Sequence, residues 1–180
     1  MDNILTHIEF ADIKQISKKY DEDKLTQAIT EAHGDLQEIL GEAFFYNVVK
    51  NQEEAAYLPL LNGAEFIKDE CALYHNGLKN LVADYAYIRY LYQVNVNHTP
   101  FGLVGKNSND STPVDRYVIK DIIKQTNIDA SRKWELIKDY LNVKKDVFEV
   151  WSKVSEGCGV DNSPSGFNSK RFTFFGTNKH

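Results

Sequence analysis

Cysteine, proline and methionine are scarce in this chain of 180 residues, at two, four and one. The cysteines, Cys71 and Cys158, are far apart and lie in no paired motif. A reduced or assembly-protected setting fits them better than a disulfide scaffold. No apolar run approaches the ~18 residues that cross a bilayer, and no basic stretch followed by an apolar one opens the chain, so neither a membrane helix nor a signal peptide is expected. The chain reads as one made and kept in an aqueous compartment. Its net charge is only −5, which argues against a general nucleic-acid binder but leaves room for a local basic patch.

Patterns that carry chemistry are missing as well. Gly102-Leu103-Val104-Gly105-Lys106 resembles the end of a phosphate loop. Such a loop needs four residues between its glycines and Ser or Thr after the lysine, whereas two separate them here and Asn107 follows. His7, His33, His75, His98 and His180 form no His-Glu-x-x-His helix and have no cysteine at ligand spacing, so they read as surface or capping residues. Cys71 sits in an apolar stretch and reads as core, and Cys158 stands among glycines with no base beside it. Asn107 to Asp110 offers oxygen ligands without a calcium loop's alternation, glycine and terminal glutamate. No catalytic, cofactor-binding or metal-binding residue is expected, and the chain reads as an interaction protein rather than an enzyme.

What is present is helical periodicity. Hydrophobic residues make up 42% and charged residues 26%, enough for one domain with a sizeable core plus extensions. A short helix is expected from about Glu9 to Ser17, with Thr6 as its cap. Asp21 and Asp23 open the next helix, whose stripe is Leu25, Ala28, Ile29, Ala32, Leu36, Ile39 and Leu40, and Gly41 stops it. Phe44, Phe45, Tyr46, Val48 and Val49 continue onto the core. The run from Ala64 to His75 reads as a small hairpin in preference to a helix start, because Asn76-Gly77 breaks it. Leu78, Leu81, Val82, Tyr85, Ile88, Leu91 and Tyr92 form the stripe of a second strong helix, which Tyr87 and Tyr90 make apolar on another side. Such a helix is buried between neighbours, some of which can be other subunits.

His98-Thr99-Pro100-Phe101-Gly102 ends that helix, and the polar stretch to Thr112 reads as an exposed loop. Thr112-Pro113-Val114-Asp115 then opens a long third helix. Val114, Val118 and Ile122 make one stripe and Ala130, Trp134, Ile137 and Leu141 another, with a bend expected near Asn127. Tyr85, Tyr87, Tyr90 and Trp134 are the expected packing or subunit-interface residues. Charge is uneven: residues 1–60 carry 12 acidic and 5 basic side chains, and residues 106–145 carry 6 acidic and 9 basic. The simpler reading is ordinary solvated faces; the other is two complementary surfaces on different copies.

Helical patterning stops after Trp151. Gly157, Gly159, Pro164 and Gly166 have linker character, but Phe167, Lys170, Arg171, Phe172, Phe174 and Phe175 follow. Domains of 1–156 (helical) and 157–180 (an extended C-terminal arm) are expected. The arm either docks on a partner, with Arg171 to Phe175 adding a strand to a sheet edge, or folds back on its own core.

The run Asn76-Gly77-Leu78-Lys79, the helix Tyr85-Ala86-Tyr87-Ile88-Arg89-Tyr90, then Thr99-Pro100-Phe101-Gly102, Ser111-Thr112-Pro113 and a long helix ending in Tyr140-Leu141 resembles the head-to-tail connector (adaptor) proteins of tailed bacteriophages, of the kind met in Bacteroides (crAss-like) phages. The resemblance covers about Leu25 to Trp151. It implies a mainly α helical bundle that assembles as a homo-oligomeric ring, dodecameric to match the portal protein above it, at the portal–tail junction of a virion assembled in the host cytoplasm. Such a ring extends the DNA channel, with DNA passing without sequence specificity, and offers a platform to the next tail or connector protein. It implies no cofactor and no membrane. The competing expectation is another phage or bacterial helical binding module, such as a tail-completion or regulatory protein.

Overall fold

The protein is mainly helical, with two short antiparallel hairpins, in a computed structural model that describes residues 3–16, 20–99, 102–105 and 115–151. Helix α1 (His7–Lys14) starts at a capping box: Glu9 N donates to Thr6 Oγ1 at 3.2 Å while Thr6 N donates to Glu9 Oε2 at 2.9 Å. Each bond satisfies a backbone or side-chain group that the first turn leaves orphaned. Ser17, the expected end of this helix, lies outside the described residues. Asp21 caps α2 (Glu22–Leu40) by accepting from Lys24 N at 3.1 Å. Leu25, Ala28, Ile29, Ala32, Leu36 and Leu40 are buried as the stripe predicts. Gly41, at a φ of 76°, turns the chain into α3 (Glu42–Lys50), which buries Phe44, Phe45 and Val48.

The expected hairpin is present. Short helix α4 (Leu58–Asn62) leads into β1 (Ala64–Lys68), which pairs with β2 (Cys71–His75) in the register Ala64↔His75 to Lys68↔Cys71. The two-residue turn, Asp69-Glu70, takes φ values of 50° and 64°. Left-handed backbone at both positions matches the right-handed twist of the strands. Where the hairpin leaves and rejoins the helices, Gly63 and Gly77 pass each other with φ of 103° and 83°. A Cβ on Gly63 would lie 2.6 Å from the His75 carbonyl oxygen, so only glycine fits this crossing.

Helix α5 (Gly77–Asn95) is the centre of the domain, packed mainly on α2 and α6. Residues 81–86 are buried on every side, which explains its all-round apolar character. The stripe stops short of the end, because Tyr92 is exposed. The following stretch contains a second hairpin where a loop was expected: β3 (Val96–Thr99) pairs with β4 (Gly102–Gly105) from Val96↔Gly105 to Thr99↔Gly102. Helix α6 (Arg116–Val143), the long third helix of the sequence reading, begins at a cap formed by Asp115, whose side chain accepts from Tyr117 N at 2.9 Å. Thr112 and Pro113, expected to open it, and Val114 lie outside the described residues. The helix is continuous through Asn127, and its 28 residues span ~42 Å at 1.5 Å per residue.

The core closes around aromatic rings at the far end of α6. Phe148 and Trp151 return after the helix and pack on α3, with Phe44 5.4 Å from Trp151 and Tyr57 5.4 Å from Phe148 between ring centres. Trp134 meets Trp151 edge-on at 6.3 Å. These tilted and edge-on geometries are the favourable ones for aromatic pairs.

Candidate functional site

Three side chains from three helices meet at the only buried carboxylate among the described residues. Asp84 on α5 is clamped between Lys14 on α1 and Lys133 on α6, the latter at 2.7 Å. Lys14 also lies 5.2 Å above the Tyr87 ring, a cation–π contact. Outside this triad, Arg89 on α5 binds Asp35 at 2.6 Å and Glu31 at 3.5 Å on α2. Burial pushes the Asp35 carboxyl up and the Arg89 guanidinium works against it. Lys79 reaches Glu9 at 2.6 Å, and the bonds from Lys79 and Thr6 hold the Glu9 carboxyl low against the opposing effect of burial.

A shallow cavity of about 340 Å³ opens over the triad, lined by Lys14, Asn76, Asp84, Thr126, Asp129, Arg132, Lys133 and Leu136. Its chemistry is already spent internally. Both oxygens of Asp84 accept from ammonium groups, so this carboxylate is not placed to act as a general base, and the two lysines are not placed as nucleophiles. The triad is a tie between helices. Among the described residues no cluster of His, Cys, Asp and Glu is arranged to hold a metal ion, and no helix is long and apolar enough to cross a membrane.

Two histidines correct the expectation of surface or capping roles. His33 is buried: Ile4 N donates to its Nε2 at 3.0 Å, so Nδ1 carries the proton and donates to the Ile29 carbonyl at 2.7 Å. It pins the segment of Ile4 and Leu5 onto α2, and burial lowers its pKa. His75 is fully buried, stacked 4.3 Å from Tyr140, and neither ring nitrogen has a hydrogen-bond partner among the described residues. Burial pushes its pKa down to about 4. Cys71 is corrected in the opposite sense: it is exposed at the turn end of β2. Cys71 shares the inner face with Leu73 and His75, but it pairs with Lys68 beside the Asp69-Glu70 turn, where the ribbon end is exposed.

The four residues expected at packing or subunit contacts are packing residues of this domain. Tyr85 is buried, which raises its pKa, and the Asp35 and Asp84 charges add to the rise. Tyr90 is buried with its hydroxyl accepting from Asp21 N at 3.4 Å, and Trp134 is buried against Trp151. Tyr87 is half-buried under Lys14. The arm residues Phe167, Lys170, Arg171, Phe172, Phe174 and Phe175 lie outside the described residues.

The unsatisfied surface is elsewhere. On the first half of α6, Tyr117 is 77% and Val118 49% exposed, and Ile122 and Ile128 are exposed too. Lys120 and Lys124 stand among them. The sequence signal for this surface was the stripe of Val118 and Ile122, which reads as core, whereas among the described residues both are exposed. The outward face of α2 carries Asp23 and Glu31, both exposed, beside small or polar residues such as Thr26, Thr30 and Gly34. On the β1–β2 hairpin, Ile67 is 68% and Tyr74 52% exposed.

Fold and surfaces together define a helical domain whose interior charges are tied off and whose apolar excess faces outward. The chain belongs to DUF6712, a family of unknown function, whose model matches residues 36–160, from the last turns of α2 through α6. No curated protein and no solved structure matches it.

Proposed function

We propose that the protein is a non-enzymatic virion component, a head-to-tail connector that forms a homo-oligomeric ring beneath a phage portal protein. In this reading the ring is twelvefold to match the portal, extends the DNA channel and gives the next tail component a platform. The observation that carries the reading is the first half of α6, a helix with exposed Tyr117, Val118, Ile122 and Ile128 and no covering element among the described residues. Several large apolar side chains left exposed along one half of a helix support a protein contact there. A closed ring uses two different patches on each copy. The basic, apolar flank of α6 and the acidic outward face of α2 are two patches of suitable and opposite character. The pattern from Asn76 to Leu141 that resembles phage connectors gives the reading its particular form.

Native mass spectrometry and electron microscopy of the full chain, alone and with a portal protein, test it. The expected result is a single ring stoichiometry that joins portal-containing particles. A chain that stays monomeric in both conditions would overturn the proposal.

A further inference from the structure

We infer that the outer face and open edge of the β1–β2 hairpin are the receptor for the segment Arg171–Phe175 of a neighbouring copy, which adds there as a third strand. This rests on the reading of the protein as a homo-oligomeric ring. The hairpin is a two-stranded sheet, and no third strand pairs with either member among the described residues. A strand edge offers a row of N–H and C=O groups to any extended segment that reaches it.

The inner face of the hairpin is already occupied. Phe66 and His75 pack on Tyr140, at 5.7 and 4.3 Å between ring centres, and Lys68 is drawn to Asp139 at 2.7 Å. The outer face is left apolar, with Ile67 paired to Ala72 and Tyr74 paired to Glu65 in the register. With Lys68 tied to α6, the exposed charges around that face are acidic: Glu65, Asp69 and Glu70.

The segment has the complementary chemistry. Lys170 and Arg171 are cations, and Phe172 and Phe174 fall on one side of an extended strand because side chains alternate with period two. Its length of five residues equals that of β1 and of β2. Nineteen residues separate Trp151 from Arg171, a tether that reaches about 60 Å when extended. Bound as a third strand, Phe172 and Phe174 cover Ile67 and Tyr74 while Lys170 and Arg171 meet the hairpin acids.

Cys71, exposed at the end of β2, serves as a built-in reporter. In the full-length chain carrying Cys158→Ser and Thr173→Cys, a short bis-maleimide is expected to join residues 71 and 173 of different copies and give a ladder on denaturing gels. The ladder is expected to vanish with Ile67→Glu and Tyr74→Glu. It is also expected to vanish with Lys170→Glu and Arg171→Glu, and to return when Glu65→Lys and Glu70→Lys are added. Circular dichroism checks that each variant is folded. A ring that forms without any 71–173 link, a link confined to single chains, or a ladder indifferent to the hairpin substitutions overturns the inference and leaves the ring standing. A chain that is monomeric by native mass spectrometry overturns the ring and this inference with it.

Discussion

The two halves of α6 contain the same kinds of residue and live in opposite surroundings. Ala130, Trp134, Ile137, Tyr140 and Leu141 are buried in the second half, whereas Tyr117, Val118, Ile122 and Ile128 in the first half are exposed. The neighbours account for the difference. Lys133 meets Asp84 and Tyr140 meets His75, so α5 and the strand before it run antiparallel to α6. The β1–β2 hairpin and the Phe148–Trp151 return cover the second half only. An apolar stripe records that a face is meant to be covered; it does not record by what.

Removing Asp84 should break the second half severely. Asp84→Ala leaves the half-buried Lys14 and Lys133 without their carboxylate, and the expected loss is about 2–4 kcal/mol in urea unfolding. A triple variant, Asp84→Leu with Lys14→Met and Lys133→Met, should recover most of that loss, since it removes the charges along with the cost of burying them. Trp134→Ala is of similar size, at about 3–4 kcal/mol, through the cavity it opens beside Trp151.

His75 tests the same half through pH. Its folded pKa is depressed from 6.5 to about 4. The unfolded chain therefore binds the extra proton first. The stability from His75 is complete above pH about 6.5 and is lost as pH falls toward about 4, a total of up to about 3 kcal/mol. His75→Phe, which keeps the ring on Tyr140 and removes the titration, should flatten the fall in urea midpoint between those pH values. An unchanged slope would mean that His75 is not what titrates.

How far the sequence reveals all this depends on whether a signal is local. The capping box at Thr6 and Glu9, the Asp21 cap, the Gly41 stop and the stripes of α2 and α5 depend on neighbours within a few residues, and all are legible. The β1–β2 hairpin is legible because Asn76-Gly77 stops a competing helix. Burial of His75 is not, because it depends on Tyr140, far along the chain, and on the crossing of Gly63 and Gly77 that turns the strand inward. Exposure of Cys71 is hidden by the apolar run it opens, because its side chain shares a face with Leu73 and His75 and is exposed only by its place at the turn end. The β3–β4 hairpin is masked by polar, glycine-containing residues that read as loop. The Asp84 triad joins residues from α1, α5 and α6 at separations of 70 and 49 in sequence, and no spacing rule connects them.

The smallest effect on stability is expected in the first half of α6, and there the comparison is sharpest. Tyr117→Ser and Ile122→Ser remove exposed apolar groups that make no core contact among the described residues, so each should shift unfolding by no more than about 0.5 kcal/mol. If the stripe is a contact between copies, the same two substitutions should shift native mass spectra from ring to monomer. Trp134→Ala should do the reverse, lowering the melting temperature while the folded fraction still assembles. Loss of both fold and assembly in the Tyr117 and Ile122 variants would mean that the first half of α6 is covered within its own chain. Loss of neither would mean that the copies meet on another face, which leaves the acidic outward face of α2 without its basic counterpart.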